Sequence, residues 1–326
     1  MQTTAKPRFN FYDYHPDSRD FRGDVLRGLG SLPKAIPPKY FYDQEGSALF
    51  DRICQTPEYY VTRTELKILE HYRREIACFI DDQCMLIEPG SGESHKVRML
   101  LETVKPAAYV PMDISRECLL DAANRLAGDF PWLDVHAVCV DYTRDIQLPR
   151  RCQGIRRLAF FPGSTIGNFE PIDAIRFLAD LGELVGVNGG LLIGVDLKKD
   201  EGILNAAYND GERLTARFNL NLLTRINNEL DGNIDLTSFA HSAFYNRMKG
   251  RVEMHLISTR KQQVCVAGQY FAFEAGETIH TESSYKYTVE EFQRLAAHAG
   301  FESVQCWTDP SQLFSVHYLV YAGAAE

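Results

Sequence analysis

Between residues 85 and 196, short apolar runs alternate with longer stretches of mixed polarity. This alternation constrains the fold more than any other feature. The runs are MLIEPG (85–90), AAYVPMD (107–113), VHAVCVD (135–141), LAFFPG (158–163) and LLIGVD (191–196). Each is too short for a buried helix and rich in branched or aromatic residues, which predicts strands buried on both faces. Between them lie helix-like stretches, notably 115–127 and 171–187. Strands alternating with helices predict an α/β fold with a doubly wound, mostly parallel sheet. Ligands bind such sheets at the carboxyl ends of the strands. Several of these runs end there in an acid or a glycine turn.

The rhythm breaks after Asp196. In GERLTARFNLNLLTRINNEL (211–230), Leu214, Phe218, Leu222, Ile226 and Leu230 lie four apart and make one helical stripe. VEMHLIST (252–259) and VCVAGQYFAF (264–273) read as antiparallel strands joined by a polar turn, and TVEEFQRLAAHAGF (288–301) returns to a helix. The expected organisation is an N-terminal arm (1–60), an α/β core (61–196), an inserted α+β unit (197–286) that pairs with the arm, and a C-terminal completion of the core (287–326). In TRTELKILEHYRREIACFI (62–80), the apolar spacing predicts a helix, and Thr62 with Glu65 has the form of a capping box.

Composition narrows the function classes. With 326 residues the chain has room for about two domains and needs no disulfide or metal to fold. A net charge of −9 disfavours phosphate backbones, so no nucleic-acid partner is expected. No run approaches the roughly 18 apolar residues of a membrane span, and no secretory h-region opens the chain. The eight cysteines (Cys54, Cys78, Cys84, Cys118, Cys139, Cys152, Cys265 and Cys306) form no CxxC pair. They read as reduced thiols of a cytoplasmic protein. No histidine pattern suggests a metal.

Four strand ends carry candidate chemistry. Glu88-Pro-Gly90-Ser-Gly92-Glu-Ser94 follows the first run. His95 stands where a dinucleotide fingerprint needs glycine, so the pattern is E-x-G-x-G-x-S. It fits a ligand-approaching loop or a merely tight turn. Asp113 closes the second run, where an acid either accepts ribose hydroxyls or caps the next helix. Asp141-Tyr142 closes the third and fits an adenine amine and ring, or a solvated turn. The fourth, Pro162-Gly163-Ser-Thr-Ile-Gly-Asn168-Phe169, offers small residues and an amide. That amide suits a zwitterionic amino acid, or caps the helix beyond.

These residues carry a resemblance that runs nearly end to end. The further markers are Lys39-Tyr40-Phe41-Tyr42-Asp43, Glu58-Tyr59-Tyr60-Val61-Thr62-Arg63-Thr64-Glu65, Tyr208-Asn209-Asp210, Glu253-Met254-His255-Leu256 and Thr281-Glu282-Ser-Ser284-Tyr-Lys286. The chain resembles the histidine-specific N-alpha-methyltransferases of ergothioneine biosynthesis, which have a Rossmann-like class I core and use S-adenosylmethionine. The resemblance implies that Gly90, Gly92, Lys96, Asp113, Asp141 and Tyr142 hold the methyl donor. It implies that Asn168 and Tyr208 meet the carboxylate of L-histidine, with Gly163, Asn168 and Tyr42 near the reacting amine. Tyr59, Glu282 and Ser284 would read the imidazole, with Met254 packed beside it. The implied product is trimethylhistidine (hercynine), made by a monomer without a metal. Arg63, Lys198 and Lys199 are expected to be solvated or to pair with backbone. The alternatives are a relative acting on tryptophan or a modified histidine, and a non-catalytic donor-binding module.

Overall fold

In the computed structural model the strands, in chain order, are β1 (Phe9–Asp13), β2 (Lys34–Ala35), β3 (Met85–Pro89), β4 (Ala108–Asp113), β5 (Asp134–Cys139), β6 (Arg157–Phe161) and β7 (Gly190–Asp196). They continue as β8 (Phe239–Asn246), β9 (Arg251–Ser258), β10 (Gln262–Val266), β11 (Gln269–Phe273), β12 (Thr278–Tyr285), β13 (Phe301–Thr308) and β14 (Phe314–Tyr321). The structure describes residues 9–14, 19–80, 83–92, 95–143, 148 and 155–323; Cys152 and Ser94 of the sequence reading lie outside them.

The main sheet has eight strands in the order β1-β5-β4-β3-β6-β7-β14-β13. All pairings from β1 to β7 are parallel, and the last two pairings, β7–β14 and β14–β13, are antiparallel. The chain steps outward from β3 to β4 and β5, then returns to the other side of β3 as β6. The β3/β6 boundary is therefore the topological switch point, where a crevice opens at the strand ends. All residues of β3 and β7 are buried, as expected for strands covered on both faces. The helices Arg116–Asp129 and Pro171–Val185 occupy the stretches read as helical.

A second sheet, β2-β12-β9-β8, lies in the segment after β7 and is completed by a strand from the N-terminal region. Here β2 runs parallel to β12, with Ile279 opposite Lys34. The helix Leu214–Glu229 backs this sheet, and Leu214, Phe218, Leu222, Ile226 and Leu230 are all buried. Phe218 packs on Phe41, with ring centroids 4.6 Å apart. The ends of the intervening segment meet: Lys198 N–H donates to the Tyr287 carbonyl at 2.9 Å, and Tyr287 N–H to that of Asp196 at 3.2 Å.

Three local expectations are corrected. Residues 264–273 are not one strand. They form the hairpin β10–β11, which turns at Ala267 (φ 49°) and Gly268 (φ 79°), two left-handed residues of the kind tight hairpins require. Thr62 and Glu65 form no capping box. The helix runs Tyr60–Phe79 from Tyr59 with no side-chain cap, because Glu65 is turned inward. The N-terminal arm does not pair only with the insertion, since β1 adds an edge strand to the main sheet beside β5.

The two sheets touch through the short 3-10 helix Thr165–Asn168 after β6. A Cβ at Gly167 would lie 2.7 Å from the Tyr285 carbonyl oxygen and 3.2 Å from its nitrogen. Both are backbone atoms of β12 and cannot rotate away. Gly167→Ala is expected to cost about 1–3 kcal/mol of stability, seen as a lower unfolding temperature.

Candidate active site

At the switch point, the turn after β3 places Gly90 (φ 70°) and Gly92 (φ 49°) in the left-handed region. Gly90 and Ser91 N–H groups both donate to the Met112 carbonyl, at 2.7 and 3.0 Å, which ties the turn to β4. Asp113 accepts from Gly92 N–H at 3.0 Å and from Ser115 N–H at 2.9 Å. Its carboxylate thus organises the glycine turn and does not cap the following helix, whose cap position is Ser115. Burial raises its pKa, while these backbone donors act against that shift. A Cβ at Gly92 would meet no heavy atom within 4 Å, whereas one at Gly90 would lie 3.0 Å from the Tyr142 hydroxyl. Ser91 Oγ is buried without a hydrogen-bond partner among the described residues. An open glycine cradle, a carboxylate one strand away and an aromatic above it fit a nucleoside-bearing ligand.

Asp141 is drawn into contact with the N-terminal segment. Lys39 Nζ lies 3.1 Å from its Oδ2, and Thr143 donates to Oδ1 through N–H (3.1 Å) and hydroxyl (2.5 Å). Burial opposes its ionisation, but Thr143 and Lys39 outweigh burial and lower its pKa. Glu88 is a buried acid pushed up to about 8 by desolvation, which the hydrogen bond from Tyr109 only partly offsets.

Gly163 (φ 84°) ends β6 across the crevice. Its N–H donates to both oxygens of Glu65, at 2.9 and 3.0 Å. Glu65 is 1% exposed and pairs with Lys96 at 2.6 Å. It lies over Gly194 of β7, where a Cβ would come within 1.9 Å of its Oε1. One carboxylate therefore joins the helix Tyr60–Phe79, the β6 loop and Lys96.

The second sheet supplies the opposite wall. Glu282 and Ser284 lie two apart on β12, and Glu282 pairs in register with Met254 of β9, just after a bulge at His280/Glu282. The Tyr208 hydroxyl donates to Ser284 Oγ at 2.9 Å. The Tyr59 and Tyr208 rings are 6.3 Å apart, and Phe50 bridges Tyr59 to Tyr42. Asn168 and Glu282 share a cavity of about 270 Å³ with Pro37, Pro38 and His280. Burial raises Glu282 to about 7, against the pull of Lys286. Burial also raises the pKa values of Tyr42 and Tyr59, and the Glu282 charge adds to both shifts. The structure thus gathers Tyr42, Tyr59, Asn168, Tyr208, Met254, Glu282 and Ser284 from six separated segments. Gly90, Gly92, Lys96, Asp113, Asp141, Tyr142 and Gly163 gather along the main-sheet strand ends.

A family model described as histidine-specific methyltransferase, SAM-dependent, matches residues 21–321. The chain belongs to this family. It is 39% identical to a histidine N-alpha-methyltransferase of Mycolicibacterium smegmatis, over 92% of this chain and 94% of that protein. It is 38% identical to one from Mycobacterium tuberculosis, over 90% and 93%. Ergothioneine biosynthesis protein 1 of Neurospora crassa is 33% identical over 88% of this chain and 33% of its own length. The doubly wound sheet is the Rossmann-like core expected of such a methyltransferase.

Within this histidine-specific methyltransferase, several buried charges escaped sequence reasoning. Arg63 and Lys198 behave as expected: Arg63 donates to the Thr56, Pro57 and Tyr59 carbonyls, and Lys198 pairs with Glu291 at 2.6 Å. Lys199 is not solvated. Its side chain is 5% exposed and sits 2.5 Å from Asp196, which also pairs with Lys286 at 2.7 Å. Burial lowers Lys199 to about 8 despite Asp196. The signal for these residues was a charge inside an apolar run: Asp196 ends LLIGVD, and Lys286 sits between Tyr285 and Tyr287. Glu65 and Lys39 had no such signal.

Two outcomes follow. Glu65→Gln removes the charge that holds Lys96, so affinity for S-adenosylhomocysteine, measured by calorimetry, should fall about tenfold. An unchanged affinity would mean that Lys96 needs no such holder. Folding raises Glu282 from 4.5 to about 7, so its ionisation costs stability. That cost is absent below about pH 4.5, grows through the interval and is complete above 7. Glu282→Gln should therefore raise the unfolding temperature at pH 8 and leave it unchanged at pH 4.

Proposed function

We propose that this protein transfers methyl groups from S-adenosylmethionine to the α-nitrogen of L-histidine, three times in succession, yielding hercynine. One observation carries the reading. A half-buried carboxylate, Glu282, lies two residues from Ser284 on β12 and lines one cavity with Asn168, and Ser284 accepts from the Tyr208 hydroxyl. A carboxylate in a desolvated site favours a side chain with N–H groups over an apolar ring. An imidazole also offers two ring nitrogens, one each for Glu282 and Ser284, whereas the indole of a tryptophan-like substrate, such as the one named for a 27% identical relative, the 4-dimethylallyltryptophan N-methyltransferase of Claviceps purpurea, has a single N–H and no second ring nitrogen.

The assigned roles divide between the walls. Gly90 and Gly92 let the backbone approach the donor, Asp113 faces its ribose, and Asp141 with Tyr142 faces the adenine. Lys96 offers a cation to the donor's carboxylate. On the other wall, Asn168 and Tyr208 bind the carboxylate of histidine, while Tyr59, Glu282, Ser284 and Met254 enclose the imidazole. Bound S-adenosylmethionine supplies an electrophilic methyl on a sulfonium. The protein's task is then to hold a neutral amine in line with that carbon and to exclude water. Tyr42, kept protonated by burial and by the Glu282 charge, orients the amine through its hydroxyl and is not a base. Gly163, which has no side chain, leaves room beside Asn168 for the growing methylated nitrogen.

We assign residues 61–196 and 287–326 to donor binding. Residues 197–286, together with the N-terminal segment after β1, are assigned to the acceptor. The working unit we propose is a monomer. The seven described cysteines are all free, which supports the cytoplasm as its compartment.

Mass spectrometry of histidine incubated with the protein and S-adenosylmethionine should show a product gaining three methyl groups. Glu282→Ala should lower kcat/KM for histidine about 100-fold while leaving S-adenosylhomocysteine affinity intact. Unchanged selectivity across a panel of amino acids would remove Glu282 from imidazole recognition.

A further inference from the structure

Behind the acceptor wall lies a buried cation that the roles above leave unused. The Lys286 side chain is 1% exposed. Its ammonium reaches three oxygens: Asp196 Oδ2 at 2.7 Å, Ser284 Oγ at 2.9 Å and Tyr208 Oη at 3.1 Å. An ammonium has three hydrogens and accepts none, so all three are spent. The Ser284 and Tyr208 hydroxyls are themselves 2.9 Å apart. The two hydroxyls share two hydrogens, and one lies between them. A single O–H therefore remains to point at a ligand, from one residue or the other.

In the structure Tyr208 donates to Ser284, and Ser284 accepts from both neighbours. A carboxylate placed at Tyr208 reverses this, because a carboxylate only accepts. The Tyr208 hydrogen then turns outward, Ser284 donates to Tyr208, and Ser284 keeps one lone pair for the ligand. We propose that Lys286 is a positioning residue that makes Ser284 a hydrogen-bond acceptor once the substrate carboxylate is bound, so that the ring nitrogen facing Ser284 must carry a hydrogen. The other ring nitrogen shares one proton with Glu282, two residues away on the same strand. Recognition of the two ends of the amino acid is thereby coupled through one ammonium. This inference rests on the functional reading above.

Lys286→Met removes the cation but leaves Asp196 partnered, because Lys199 and Tyr60 remain 2.5 and 2.8 Å from it. S-adenosylhomocysteine affinity reports whether the donor site still folds and should be unchanged. KM for histidine should rise about tenfold with a smaller change in kcat. Discrimination between histidine and thiazolylalanine, whose ring nitrogen offers only a lone pair, should shrink as Ser284 becomes free to donate. Ser284→Ala added to Lys286→Met should cost less than Ser284→Ala alone. If wild type methylates histidine but Lys286→Met leaves KM and ring discrimination unchanged, or the two substitutions act additively, the positioning role is wrong. A loss of S-adenosylhomocysteine affinity in Lys286→Met would overturn it in favour of a general structural role. If wild type does not methylate histidine at all, the functional reading fails first.

Discussion

The carboxylate of Asp196 is where the two sheets are joined. It ends β7 of the main sheet and is fully buried, and it holds Lys286 at the end of β12, Lys199 just beyond its own strand and the Tyr60 hydroxyl. Ser164 Oγ accepts the Asp196 N–H at 2.9 Å, so the β6 loop is drawn into the same point. Two ammonium groups and one carboxylate in an apolar interior are costly to desolvate, and leaving any one unpaired costs several kcal/mol more. The arrangement therefore sets a single geometry between the sheets. Small relative displacements would leave a buried charge without a partner.

A second carboxylate does similar work across the crevice. Glu65 binds the Gly163 N–H and Lys96 together, over a glycine in β7. The strand ends and the β6 loop are thus held by ionic hydrogen bonds, leaving the backbone free to approach a ligand. Glu88 and Glu282, whose pKa values are raised to about 8 and about 7, are acids held in desolvated surroundings. Such destabilised acids are common where a fold gives up stability for recognition.

The central architecture was legible because its cause is local. A strand buried on both faces must be a continuous apolar run, and a helix against it must be amphipathic, so MLIEP, AYVPMD and LLIGVD announce themselves. The stripe from Leu214 to Leu230 was legible for the same reason. The hairpin at 264–273 was missed because Ala267 takes a left-handed turn conformation that its residue type does not advertise. Glu65 was misread because a capping-box pattern and an inward-facing acid look identical in one dimension. The donor-side candidates were legible as acids and glycines at successive strand ends. Tyr59, Tyr208 and Glu282, which we propose for the acceptor side, came only through resemblance, since no spacing links them.

The sequence by itself determined the parallel core, its strand ends and the chemistry concentrated there. Periodicity and turn residues act over a few positions and need no knowledge of distant partners. The tertiary structure decided which charges would be buried together: Asp196 with Lys199 and Lys286, Glu65 with Lys96, and Asp141 with Lys39. It also placed β1 in the main sheet and β2 in the second, dividing the N-terminal region between them. Those pairings depend on where strands distant in sequence come to lie. Their energies arise only once water has been excluded from between them.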